Sequence, residues 1–158
     1  MSRYLLLIFS TFLVAFFTPV TAQHKTPTDS LALFKKVKKQ YEAYEKKHGH
    51  YIQTPNVKMH YLKWDNPGGV PLIWSHGTYS SSYDLLPFAE KLLEMGFEVY
   101  AIDYYGHGRT PLPSKEVSHY HIADDINYLM TELGIEKAVI AGWSRGGIIS
   151  SLFYGRAI

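Results

Sequence analysis

The chain has 158 residues, 16 basic against 14 acidic side chains, 15% aromatic residues and no cysteine. That length suits one domain, by the usual prior of roughly 100–200 residues, and the missing cysteine excludes a disulfide scaffold and a lipid-anchored lipoprotein. The charge is uneven: residues 23–50 carry seven lysines against three acids, and 51–158 carry eight basic residues against eleven acids. With the basic excess confined to one short segment, a nucleic-acid partner is excluded.

Residues 1–22 read MSRYLLLIFSTFLVAFFTPVTA, with one arginine near the start and an apolar run from Leu5 to Phe17. Val20 and Ala22 are small residues spaced for signal-peptidase cleavage. The run is about 13 residues, short of the roughly 20 that span a bilayer. A signal peptide over 1–22 is therefore expected, with a membrane anchor as the alternative. The mature chain is then secreted or periplasmic, with no stable anchor after cleavage.

Residues 23–55 read as a linker followed by a basic amphipathic helix. His24 to Ser30 is polar and contains Pro27. From Leu31 the apolar residues Leu31, Phe34, Val37, Tyr41 and Tyr44 recur three or four apart, with Lys35, Lys36, Lys38 and Lys39 around them. Ser30 is the expected N-cap and Gly49 the expected stop. A packed helix with a solvated lysine face is the reading; docking on an anionic membrane or a partner is the alternative.

From residue 56 the rhythm changes. Val57 to Trp64 predicts a strand closed by Asp65-Asn66-Pro67-Gly68-Gly69, and Val70 to Trp74 a second one. Leu85 to Met95 predicts a helix ended by Gly96, and Phe97 to Ile102 a strand. Ile122 to Leu133 reads as a helix, Ala138 to Ala141 as a strand, and Gly146 onward as helix again. This alternation predicts an α/β fold, a mostly parallel sheet with flanking helices.

Three stretches carry chemistry. Gly142-Trp143-Ser144-Arg145-Gly146 fits G-x-S-x-G between a predicted strand and a predicted helix, the context that motif requires. The backbone at Ser144 is expected to be strained, and a Cβ at Gly142 or Gly146 to collide with the neighbouring strand or helix. Ser144 is then the candidate nucleophile, and the Arg145 N–H, at the start of the new helix, a candidate oxyanion donor. His76-Gly77-Thr78 follows an earlier strand, where a second donor is usually found, and the Thr78 N–H is the candidate. His76 is read as bracing that loop rather than as a base. Asp103, Gly106 and Gly108 form a D-x-x-G-x-G turn after the next strand. Asp124 and Asp125 are read as a solvated or loop-bracing pair.

The runs SHGTYSSSYDLLPFAEKLLEMGFEVYAIDYYGHGRTPLP and DDINYLMTELGIEKAVIAGWSRGG resemble the N-terminal half of the α/β-hydrolase fold superfamily over about residues 57 to 158. The resemblance implies that Ser144 is the nucleophile, that Thr78 and Arg145 supply the oxyanion hole, and that Asp103 is a structural turn residue. His76, Gly77 and Trp143 then flank the pocket. Trp143 and Arg145 stand where many relatives carry histidine and methionine, and Thr110 stands where serine is common. An epoxide hydrolase or haloalkane dehalogenase of this fold would carry aspartate at position 144. No metal or organic cofactor is implied, and the implied partner is a small ester-like substrate. Peptidase action, acyl transfer and carbon–carbon bond hydrolysis stay open, as does the oligomeric state.

In this family the triad runs serine, acid, histidine along the chain. The last two are expected after the helix that begins at Gly146, close to where this sequence stops. The expectation is therefore an N-terminal part of the domain over 56–158, lacking its triad acid and histidine. The other readings are a binding module acting through its sheet edge, and one half of a complex completed by a separate chain.

Overall fold

The computed structural model describes residues 27–156, so the signal peptide expected over 1–22 lies outside the described residues. Helix α1 spans Pro27–His48. It begins three residues before the expected cap, at a proline, which suits a first helical position because it has no N–H to leave unbonded. The part of α1 from Val37 onward belongs to the same unit as the sheet. Among the described residues, no helix is long and apolar enough to cross a membrane.

Five strands form one sheet: β1 (Gly49–Gln53), β2 (Lys58–Trp64), β3 (Val70–Ser75), β4 (Phe97–Ile102) and β5 (Val139–Gly142). Their spatial order is β1-β2-β4-β3-β5. β2 is antiparallel to both β1 and β4, while β3 runs parallel to β4 and to β5. Four of the five strands thus point the same way, with β2 alone reversed. β1 was not expected: GHYIQ is mostly exposed and lacks apolar alternation, so its strand form comes from pairing with β2, Tyr51 opposite His60.

The predicted helix over 85–95 is two elements. A 3₁₀ segment covers Ser82–Phe88 and α2 covers Ala89–Glu94. Pro87 within the first segment has no N–H for an α-helical bond, which favours the break. α3 (His119–Glu132) and α4 (Arg145–Arg156) complete the fold.

Alternation along β2 separates two cores. Met59 and Tyr61 face a cluster with Ile73, Ile122, Ile126, Leu129 and Ile149, formed under α3 and α4. Leu62 and Trp64 face the opposite cluster with Leu72, Leu85, Ala89 and Val99, under the 3₁₀ segment and α2, where Tyr44 of α1 also packs. Both faces of the sheet are therefore covered, as strands buried on both sides require. Ile126 and Leu129 are fully buried, and burial of such a side chain stabilises by about 1.5–3 kcal/mol. The carboxyl ends of β3, β4 and β5 lie side by side, and the three chemical stretches leave from those ends.

Candidate active site

Ser144 sits between the last residue but one of a strand–helix corner, Trp143, and the first residue of α4, with φ 54°. A left-handed serine is uncommon and costs backbone strain. Packing holds it there. A Cβ on Gly142 would stand 2.5 Å from the Gly146 carbonyl carbon and 2.8 Å from the Ser75 oxygen. One on Gly146 would meet the Ser75 oxygen and stand 2.8 Å from the His76 oxygen. The corner is thus pressed against the end of β3, and glycine at both positions is what permits the approach. Ser144 is solvent-exposed as a result.

The loop after β3 lies against this corner. A Cβ on Gly77 would come within 3.0 Å of the Trp143 indole and 3.4 Å of Ser144 Cβ. His76 is fully buried, and its Nδ1 donates to the Gly77 carbonyl at 2.7 Å. Tyr104 donates its hydroxyl to the same carbonyl at 2.9 Å and stacks on the His76 ring, centroids 4.0 Å apart. In a planar trans peptide the C=O and the following N–H point in opposite directions. Two buried donors clamping the Gly77 oxygen therefore turn the Thr78 N–H outward, away from the core. Burial pulls the His76 imidazole below its ordinary range, which the bond to Gly77 only partly offsets, so the ring is held neutral. The Arg145 N–H, first in α4, has no acceptor within its own helix.

Asp103 organises the second loop. Its Oδ1 accepts from the Ser82 N–H at 2.6 Å, and its Oδ2 from Arg109 N–H at 3.0 Å and His60 Nδ1 at 2.7 Å. Burial acts to raise its pKa, but these donors outweigh it and hold the carboxyl below the usual range. Gly106 and Gly108 both have positive φ, and a Cβ on Gly108 would run into the Asp103 carboxylate. Thr110 donates to the Asp103 carbonyl at 2.7 Å and accepts from the His60 N–H at 2.8 Å. Every oxygen of Asp103 is committed to holding the turn.

Behind Asp103 lies a network that the sequence analysis missed. The buried His60 has Asp103 on one ring nitrogen, and Glu45 Oε1 stands 2.9 Å from the other. Glu45 also accepts from the Tyr83 hydroxyl at 2.6 Å and lies 3.3 Å from Arg109 Nε, which covers the Tyr41 ring. Only Glu45 alternating with Tyr41 and Tyr44 on one face of α1 hinted at it. Asp125 is buried rather than solvated: it accepts from Asn56 at 2.8 Å and from the Tyr105 hydroxyl, and burial raises its pKa against those bonds. Of the aromatic residues near the corner, Tyr79 is exposed, Tyr83 packs on Tyr41, and Trp143 lines a mainly apolar cavity with Trp74, Leu85, Phe88 and one acid, Asp84.

The described imidazoles are engaged elsewhere. His48 bonds the Lys63 carbonyl, His107 the Tyr105 carbonyl, and His121 caps α3 through the Ser118 N–H. His50 stacks on Tyr61, and His119 accepts from Arg145 Nε at 2.8 Å. Among the described residues, none is hydrogen-bonded to the Ser144 hydroxyl.

The family model described as the alpha/beta hydrolase fold matches residues 70–157. The chain belongs to the α/β-hydrolase family. It is 28% identical over 109 residues to the AB hydrolase superfamily protein YisY of Bacillus subtilis (strain 168), covering 68% of this chain and 40% of that protein. It is 28% identical over 113 residues to bifunctional epoxide hydrolase 2 of Sus scrofa, covering 68% of this chain and 20% of that one. A crystal structure from a study of carboxylesterases of the thaumarchaeon Nitrososphaera gargenis superposes with a TM-score of 0.63 at 28% identity, over 68% of this chain and 40% of that chain. This α/β-hydrolase chain therefore spans about two fifths, or less, of the length of these relatives.

Proposed function

We propose that this chain carries the nucleophile and oxyanion hole of a serine hydrolase that cleaves esters. The observation that carries the reading is the strained, exposed Ser144 between β5 and α4, packed beside Gly77 of the loop after β3. In the proposed reaction Ser144 Oγ bonds to the ester carbonyl carbon while its proton passes to a base. The carbonyl π electrons move onto oxygen, where the Thr78 and Arg145 N–H groups receive the charge. Collapse of that intermediate breaks the bond to the alcohol and leaves an acyl-enzyme, which water hydrolyses. The carboxylesterase likeness and a serine at position 144 favour an ester over an epoxide. The base and its orienting acid are proposed to come from outside the described residues, since each described imidazole is held elsewhere. An exported location, after cleavage at Ala22, belongs to the same proposal and rests on the apolar run in residues 1–22.

The test is incubation of the chain with p-nitrophenyl butyrate, followed by intact mass and peptide mapping. A slowly formed butyryl adduct on Ser144, absent from Ser144→Ala, supports the reading. Turnover is expected at trace level: oxyanion holes without a full triad retain on the order of 10³-fold acceleration over water. No adduct, or adducts spread over other serines and lysines, would favour a non-catalytic binding role.

A further inference from the structure

The residues on either side of Ser144 line different cavities. Trp143 faces the apolar one; Arg145 faces another of about 430 Å³, with Tyr105, His107, Ser118 and His119. The described residues lining this second cavity include no carboxylate. Arg145 is half-buried there. Its Nε donates to His119 Nε2, and the guanidinium lies over the Tyr104 ring, 5.1 Å from the centroid. These two contacts fix the plane of the guanidinium but use a single N–H. The four N–H donors on the terminal nitrogens form the fork that matches a carboxylate in a two-point pair. No acid in the cavity competes for them. His119 adds no second cation: burial, then the Arg145 charge, lowers its pKa.

We propose that the Arg145 side chain binds a carboxylate carried by the substrate, so that the preferred ester is the half-ester of a dicarboxylic acid. This rests on the reading of Ser144 as nucleophile, because it is the adjacency of residues 144 and 145 that joins the anion site to the reacting carbonyl. The backbone N–H of Arg145 serves the oxyanion while its side chain selects the acyl group. A relative with methionine at this position would show no such preference.

The experiment compares binding of monobenzyl succinate with that of benzyl methyl succinate, its neutral ester, to the full chain by saturation-transfer NMR titration. The half-ester is expected to bind at least about tenfold tighter, the usual worth of a charge-assisted pair in a partly buried site. That preference should weaken with added salt, persist in part in Arg145→Lys, and vanish in Arg145→Met. Equal binding of the two esters by the unmodified chain, no binding of either, or a preference that survives Arg145→Met would overturn the proposal. The unmodified comparison decides even if the methionine variant does not fold. Ser144→Ala separates the two readings. If it keeps the preference while the native chain shows no acylation, only the nucleophile has failed. If the native chain acylates but shows no preference, only the anion site has failed.

Discussion

Asp103 is an acid at the carboxyl end of a central strand, a position from which a catalytic carboxylate can act, yet its oxygens are consumed by Ser82, Arg109 and His60. The consequence is a pH dependence of stability. Its folded pKa lies below the unfolded value near 3.8, so its contribution is fully present above pH 3.8 and is lost as pH falls through the folded value. Asp103→Asn should be less stable than the native chain at pH 7 and should show a shallower loss of stability on acidification below pH 4. Chemical denaturation as a function of pH checks this; an unchanged acid limb would mean that Asp103 is not what holds the turn. The residue scale was the most legible from sequence for a physical reason. Positive φ and close backbone approach demand glycine, so Gly142, Gly146, Gly106 and Gly108 announce their turns directly. Tyr104 was not legible, because its role depends on a carbonyl 27 residues away in the chain.

At the scale of elements, α1 does more than its periodicity suggests. Val37 remains exposed, whereas Tyr44 and Glu45 dock: Trp64 donates to the Tyr44 hydroxyl at 2.6 Å, and Glu45 gathers His60, Tyr83 and Arg109. The helix thus braces Asp103 through His60. Glu45→Ala would leave the buried His60 without its neighbour on one ring nitrogen and should destabilise by about 1–3 kcal/mol, the usual cost of an unpaired buried polar group. Glu42→Ala on the same helix, which loses an exposed pair with Lys38 at 3.9 Å, should cost less than about 0.5 kcal/mol. Urea denaturation of the two variants distinguishes them, and equal costs would show that Glu45 is not anchoring the helix. The helix was readable from its pattern, but its docking was not, since a charged residue on a basic helix reads first as solvated. β1 escaped detection for the opposite reason: its strand form is imposed by its neighbour, not by its own residues.

For the whole molecule, the strand order leaves β5 at an edge of the sheet among the described residues, paired with β3 alone. Val139 on that strand is exposed and carries no charge to discourage pairing with another chain. The chain should therefore self-associate through this edge, and Val139→Lys should raise the monomer fraction in light scattering without changing the fold. Identical association of the two forms would place the contact elsewhere. The α/β class and the order of elements from β2 onward were legible from alternating strand and helix patterns, save that the helix expected over 85–95 is two elements. The reversed β2 was not, because direction in a sheet follows from connections rather than from local sequence.

Ser144 is proposed as a nucleophile that stands beside its oxyanion donors and is short only of a base. Rescue with free imidazole tests this directly. Initial rates with p-nitrophenyl butyrate should rise with imidazole more steeply for the native chain than for Ser144→Ala, with butyryl-Ser144 accumulating in parallel. If imidazole accelerates both forms equally, the base acts only in solution and the reading of Ser144 as the catalytic nucleophile is wrong.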